Sequence, residues 1–254
     1  MSIADLMACA LAREVRADDV VGVGLGTPLA LCACLAARRT NGASVLAAGA
    51  VPSEATVAEC LRGDFAGRTP GFVPHLDTMD MAERQAMTLQ FLRPAQVGPD
   101  GSANTSRVES GGRVVRFPGG LALADVPNLL PRIVLYHTAH EPRALPAAVG
   151  FRTAAGGGIE RAGYRALGAT KLVTDRCVIA FGADGPRLAS VHPGEDVEAV
   201  VAATAFELLV DDPGETPPPS AEEAAALDAV DPERHRELEF RRLRAAAGER
   251  RTNA

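Results

Sequence analysis

Apolar residues recur at helical spacing over residues 3–16, with Ile3, Leu6, Met7, Ala10, Leu11 and Val15 on one stripe. This pattern predicts an amphipathic helix that Ser2 can cap. Asp18 and Asp19 lead into Val20-Val21-Gly22-Val23-Gly24-Leu25-Gly26, a short buried strand running into glycines. Thr27 followed by Pro28 has the form of an N-cap and first helical residue, which predicts a helix over 28–39. Residues 43–51 form a second apolar run, read as another buried strand. Strand, helix and strand within about 35 residues make a βαβ unit, and such a unit implies a parallel sheet.

Downstream the pattern is less regular. Residues 52–74 form no clear element, and Gly67, Pro70 and Gly71 mark a loop near their end. Residues 88–97 read as a strand, with Pro94 placing it at an edge or a bulge. Strands are also expected over 113–117 and 132–136. A hairpin is expected from 177–181 and 188–191, turning at Gly182–Gly185. Residues 196–209 have helical spacing. The run Asp211–Pro219 is an extended, proline-stiffened strap. A last helix over 221–227 precedes an Arg/Glu-rich segment, 233–254, expected to fray. The expected organisation is one domain over residues 1–232 and a tail over 233–254.

Composition narrows the class. With 254 residues, 47% hydrophobic and 23% charged, the chain has ample material for a core and is not disordered. The net charge of −6 argues against a nucleic-acid-binding footprint. Five cysteines without a C-x-x-C pair read as reduced thiols rather than a disulfide framework. No signal-peptide pattern opens the sequence, and no apolar run approaches the roughly 20 residues of a membrane span. A cytoplasmic location without membrane contact is expected.

Candidate chemistry is sparse. Gly22, Gly24 and Gly26 lie between a strand and a helix, where backbone amides can receive an anion. The run is not G-x-G-x-x-G, and no acidic residue stands at the ribose-reading distance. A tight turn that spares side chains, a nucleotide site and an oxyanion- or thioester-facing loop all remain open. His137 and His140, followed by Glu141, have i, i+3 spacing, but they read as a strand end rather than a metal site. No nucleophile elbow, H-E-x-x-H or Walker motif occurs.

Whole segments carry more. The carboxy-terminal part contains Val173-Thr-Asp175, Leu188-Ala-Ser-Val-His192-Pro-Gly194, Val200, Thr204-Ala-Phe206 and Glu215-Thr-Pro-Pro-Pro-Ser220-Ala-Glu-Glu. The middle contains Ala95-Gln96-Val97, Asp100-Gly101, Asn104-Thr105, Phe117-Pro-Gly-Gly120, Ala124-Asp125 and Phe151-Arg-Thr153. In these segments the chain resembles the β-type subunit of class I coenzyme A (CoA) transferases, most of all the β subunit of glutaconate CoA-transferase and its decarboxylase and hydrolase relatives. The resemblance covers roughly residues 5–232. It implies an open, mostly parallel α/β sheet with flanking helices, a CoA-transferase-like fold of the NagB/RpiA type. It also implies pairing with an α-type subunit, usually as a heterotetramer, and an acyl-CoA thioester as substrate with no bound cofactor.

One departure matters. The family's transferases carry a glutamate at the end of the second strand, which attacks the acyl-CoA carbonyl and passes through a glutamyl-CoA thioester. Here that stretch reads Leu46-Ala47-Ala48-Gly49, so Ala48 stands at the nucleophile position. Glu54 is a weak substitute, read mainly as an acid at a helix N-terminus, and Cys60 is weaker still. Gly24, Gly26, Thr27, Ala48, Gly49, Gln96, Gly119 and Gly120 are expected to line the substrate pocket. The expected function is acyl-CoA transfer, or a hydrolytic or decarboxylating variant of it, within a heteromer. The alternative is a catalytically silent structural or regulatory subunit, and a nicotinamide-dependent oxidoreductase is a remote third.

Overall fold

The structure, a computed structural model, describes residues 2–24, 26–47, 49–52, 54–64, 71–120, 123–161 and 164–240. In chain order the first elements are α1 (Ile3–Ala12), β1 (Val20–Val23), α2 (Pro28–Asn41), β2 (Ser44–Ala47), α3 (Val57–Arg62) and α4 (His75–Glu83). Next come β3 (Leu89–Leu92), β4 (Gln96–Val97), β5 (Ala103–Asn104), β6 (Arg107–Ser110), β7 (Arg113–Arg116), α5 (Val126–Leu129) and β8 (Arg132–His137). The chain continues through β9 (Gly157–Arg161), β10 (Tyr164–Thr174), β11 (Cys177–Gly182), β12 (Gly185–Val191) and α6 (Val197–Ala202). It closes with β13 (Gly214–Glu215), α7 (Ala221–Val230) and a short 3-10 turn at His235–Glu237. Contacts divide it into two units, residues 1–78 with 218–254, and residues 79–217.

The first unit holds the βαβ pattern read from the sequence. β1 and β2 run parallel, with Val20 opposite Ser44 and Val23 opposite Ala47. Residues 28–37 of α2 are all buried. A helix apolar on every side belongs inside, and its alanines and cysteines let α1 and α7 pack close against it. Ser2 caps α1 through a complete capping box with Asp5, as expected.

The carboxy-terminal segment corrects the expectation of fraying from residue 233. Residues 233–240 fold back, with Arg236, Glu239 and Phe240 buried. Arg236 Nε bonds Asp5 Oδ1 at 2.8 Å, while its other nitrogens reach Asp228 Oδ1 (2.8 Å) and the backbone oxygen of Asp231 (2.9 Å). A guanidinium enclosed by three acidic residues is satisfied at nearly every donor, which is what permits its burial. Residues 241–254 lie outside the described residues.

In the second unit the strand order is β13-β12-β11-β10-β8-β3, with β9 added on β10. β3, β8 and β10 are parallel, while β10, β11 and β12 form an antiparallel meander. β8 is an unbroken apolar run from Ile133 to Tyr136, the pattern of a strand covered on both faces. The α/β class, with parallel strands and flanking helices, is as expected. Several boundaries differ. The expected strand over 88–97 breaks at Pro94 into β3 and β4, because proline lacks the N–H a ladder needs. The expected helix over 196–209 ends at Ala202, where the Thr204 hydroxyl turns back to the Val200 carbonyl. The strap over 211–219 contributes β13, which pairs with β12.

Candidate functional site

In the first unit, parallel pairing carries the residues after β1 and after β2 to the same edge. Gly24 follows β1, and Gly26 turns the chain with a φ of +73°. The Thr27 hydroxyl, expected to cap α2, instead donates to the Gly24 carbonyl at 2.9 Å. The N-terminus of α2 is capped from elsewhere: Glu239 Oε1 accepts from the Leu29 N–H at 2.8 Å. The place where a phosphate would sit in a dinucleotide fold therefore holds a side chain of the chain itself, which removes the support for a nucleotide site.

Gly49 has a φ of +87°, and a Cβ there would stand 2.6 Å from the Val73 carbonyl oxygen. Its own carbonyl accepts from the Val73 N–H at 2.7 Å. The turn after β2 thus needs glycine for its own packing, irrespective of any ligand. At Gly24 and Gly26 an added Cβ meets nothing within 4 Å. Ala48, expected from the resemblance at the family's nucleophile position, lies outside the described residues.

Glu54 is exposed and lies before α3, not within it. The acid that serves the α3 N-terminus is Glu59, which closes a capping box with Thr56. Burial pushes the Cys60 thiol up to about 11, with Glu59 adding to the shift. A thiol in that range is not a ready nucleophile at neutral pH.

In the second unit Gln96 is buried and fully engaged. Its carbonyl oxygen accepts from Asn104 Nδ2 (2.8 Å) and the Gly150 N–H (2.9 Å), and its amide donates to the Arg143 carbonyl (3.3 Å). It therefore holds neighbouring loops together. Gly119 and Gly120 follow the β6–β7 hairpin in a turn tied down by Thr105. That hydroxyl donates to the Gly119 carbonyl at 2.8 Å, and the Gly119 N–H reaches the Thr105 carbonyl at 2.9 Å.

At the carboxyl ends of β8 and β10, His140 sits in a buried polar network that no sequence motif announces. His140 Nδ1 lies 3.0 Å from Thr174 Oγ1, and Nε2 lies 2.8 Å from Thr204 Oγ1. His192 bridges the Thr174 carbonyl and the Thr216 hydroxyl at 2.8 and 2.9 Å. Burial, with Arg176 second, brings His140 down to about 4, and burial likewise lowers His192. Among the described residues no group of three or more His, Cys, Asp or Glu is placed to hold a metal ion. Both ring nitrogens of His140 are already engaged, so the His137–His140 spacing is that of a strand end and a network. No helix among the described residues is long and apolar enough to cross a membrane.

No protein-family model matches the sequence, and no curated protein does. Solved structures do match. In fold the chain is similar to structures of the class I CoA-transferase family. It is similar to the decarboxylase AibA/AibB at 26% identity, with 94% of this chain and 98% of that chain covered and a TM-score of 0.80. Likeness of fold extends to the glutaconate CoA-transferase of Acidaminococcus fermentans, at 21% identity, coverage of 92% and 96%, and a TM-score of 0.78. It extends as well to IpdAB of Rhodococcus jostii RHA1, at 20% identity, coverage of 94% and 98%, and a TM-score of 0.75.

Proposed function

We propose that the chain is the β-type subunit of a CoA-transferase-family heteromer that acts on an acyl-CoA thioester. The carrying observation is the likeness to AibA/AibB over 94% of this chain. In this reading Gly24, Gly26, Thr27, Ala48 and Gly49 in the first unit, and Gly119 and Gly120 in the second, each serve acyl-CoA binding within their own unit. Gln96 positions neighbouring loops of the second unit. Small residues at strand ends let a thioester approach backbone N–H groups, which are suited to a developing oxyanion. Ala48 offers a methyl group where transfer requires a carboxylate, so decisive acid–base groups come from an α-type partner. Hydrolysis or decarboxylation then fits this chain better than glutamyl-CoA transfer, since a desolvated pocket can assist loss of carbon dioxide without a nucleophile.

The test is mass spectrometry of products. The chain, with whatever subunit co-purifies, is incubated with dicarboxylic, branched and ring-derived acyl-CoAs, with and without acetate. Loss of carbon dioxide, release of free CoA or formation of acetyl-CoA supports the reading and names the reaction. An unchanged panel from a complex that binds CoA supports a catalytically silent subunit instead. The observation favouring that second reading is the absence of a nucleophile at position 48, with Cys60 held as a thiol.

A further inference from the structure

The β6–β7 hairpin sets Arg107 directly opposite Arg116. Two guanidinium groups therefore rise from one face of an antiparallel pair, an arrangement that weakens a hairpin unless something answers the charge. Neither side chain pairs with a carboxylate among the described residues. Glu109 shares that face, opposite Val114, without bonding to either arginine. In a chain of net charge −6, this is a local excess of positive charge.

Arg107 is also held in place. Its backbone is gripped by Asn104, whose Nδ2 donates to the Arg107 carbonyl at 2.8 Å and whose Oδ1 accepts from the Arg107 N–H at 3.3 Å. Its guanidinium lies 5.0 Å from the centre of the Phe151 ring. A guanidinium stacked on an aromatic face keeps its in-plane N–H edges free for an anion. Arg116 leads directly into the turn of Gly119 and Gly120, and the Phe117 N–H continues the hairpin ladder to the Ser106 carbonyl at 3.0 Å. The two arginines thus stand at the foot of the hairpin, the end that joins this glycine turn.

We infer that Arg107 and Arg116 form a clamp for phosphate groups. Resting on the function proposed above, the phosphates are those of the CoA moiety, whose thioester end extends toward the Gly119–Gly120 turn. Planar guanidinium forks match phosphate oxygens two at a time.

Isothermal titration of the complex with CoA and with pantetheine, which lacks phosphates, tests the clamp. Arg107→Ala combined with Arg116→Ala is expected to weaken CoA binding by roughly 10- to 100-fold and to reduce its salt dependence, leaving pantetheine binding unchanged. Arg113→Ala, on the opposite face of the same hairpin, is expected to stay within about twofold of wild type, given the small effect of an exposed charge removed from the ligand. Thermal melts of all variants report folding. Unchanged CoA binding in the double variant, or an equal loss for Arg113→Ala or for pantetheine, overturns the clamp even where the wild-type complex turns over acyl-CoA. CoA binding that depends on the arginine pair in a complex without turnover upholds the clamp and overturns the catalytic reading. A wild-type complex that binds no CoA overturns both.

Discussion

Glu239 Oε1 accepts a hydrogen bond from the N–H of Leu29, 210 residues earlier, at 2.8 Å and in a buried setting. The first turn of a helix leaves its N–H groups without partners, and here Thr27 turns its hydroxyl away to Gly24. A carboxyl group from the end of the described chain takes its place, satisfying the donor and facing the positive end of α2. The carboxy-terminal segment thereby fixes the start of the helix that follows the first glycine turn.

Replacing Glu239 with Ala is accordingly expected to lower stability by about 1–2 kcal/mol, the loss of a helix cap. Glu239→Gln retains an acceptor and is expected to lose less. Urea unfolding of the two variants measures the difference. Wild-type stability in Glu239→Ala would show that the cap contributes nothing.

Arg236 lies under the same segment, bonded to Asp5, Asp228 and Asp231. Arg236→Met leaves the fully buried Asp231 carboxyl without its guanidinium, and a loss of about 3–5 kcal/mol is expected. Acid titration gives a second readout. Burial raises the Asp5 pKa, but the Ser2 N–H and then Arg236 outweigh it and hold the carboxyl near 2, below its ordinary 3.8. A depressed carboxyl contributes stability that is present above its unfolded pKa and is lost as pH falls toward 2. Stability curves between pH 5 and 2 should show that loss in wild type and a smaller one in Arg236→Met.

The βαβ opening was legible because Val20–Val23, Pro28–Ala37 and Val45–Ala47 are apolar in runs matched to buried elements. The strand β8 was legible for the same reason. The strand β10 was not: Gly168, Thr170 and Lys171 interrupt its apolar pattern, and neighbouring strands rather than propensity hold it extended. Glu239 looked like part of a solvated charge run, since its partner is a backbone N–H that no spacing rule connects to it. Within the candidate site, the glycines were visible as glycines, but the reason for each was not. Gly49 answers to Val73, a contact across 24 positions of sequence.

The His140 network predicts sensitivity to mild acid. His140 falls from an ordinary 6.5 to about 4, and His137 does likewise, burial being the first cause in both. A base whose folded pKa is lowered favours the folded state above its unfolded pKa, and that stability is lost as pH falls from about 6.5 toward 4. Unfolding in this window should take up protons, steepening the loss by up to about 1.4 kcal/mol per pH unit for each histidine. His140→Gln should remove about one proton from that uptake, whatever it costs in stability at pH 8. Unfolding midpoints across pH 4–8 provide the slopes, and an unchanged slope in the variant would exclude His140 as the titrating group.

The two glycine turns of the first unit should respond differently to the same substitution. At Gly49 a methyl group meets the Val73 carbonyl oxygen at 2.6 Å and a φ of +87°, so Gly49→Ala is expected to lower stability, by about 1–3 kcal/mol. Lost activity in that variant would report folding rather than pocket shape. At Gly24 a Cβ meets nothing within 4 Å and the φ is not positive, so Gly24→Ala and Gly24→Val should melt close to wild type. If Gly24 lines the acyl-CoA pocket, Gly24→Val should nevertheless raise the KM for acyl-CoA by about tenfold or more, because the branched side chain fills the approach to the backbone. Wild-type kinetics in a well-folded Gly24→Val protein would place the thioester elsewhere.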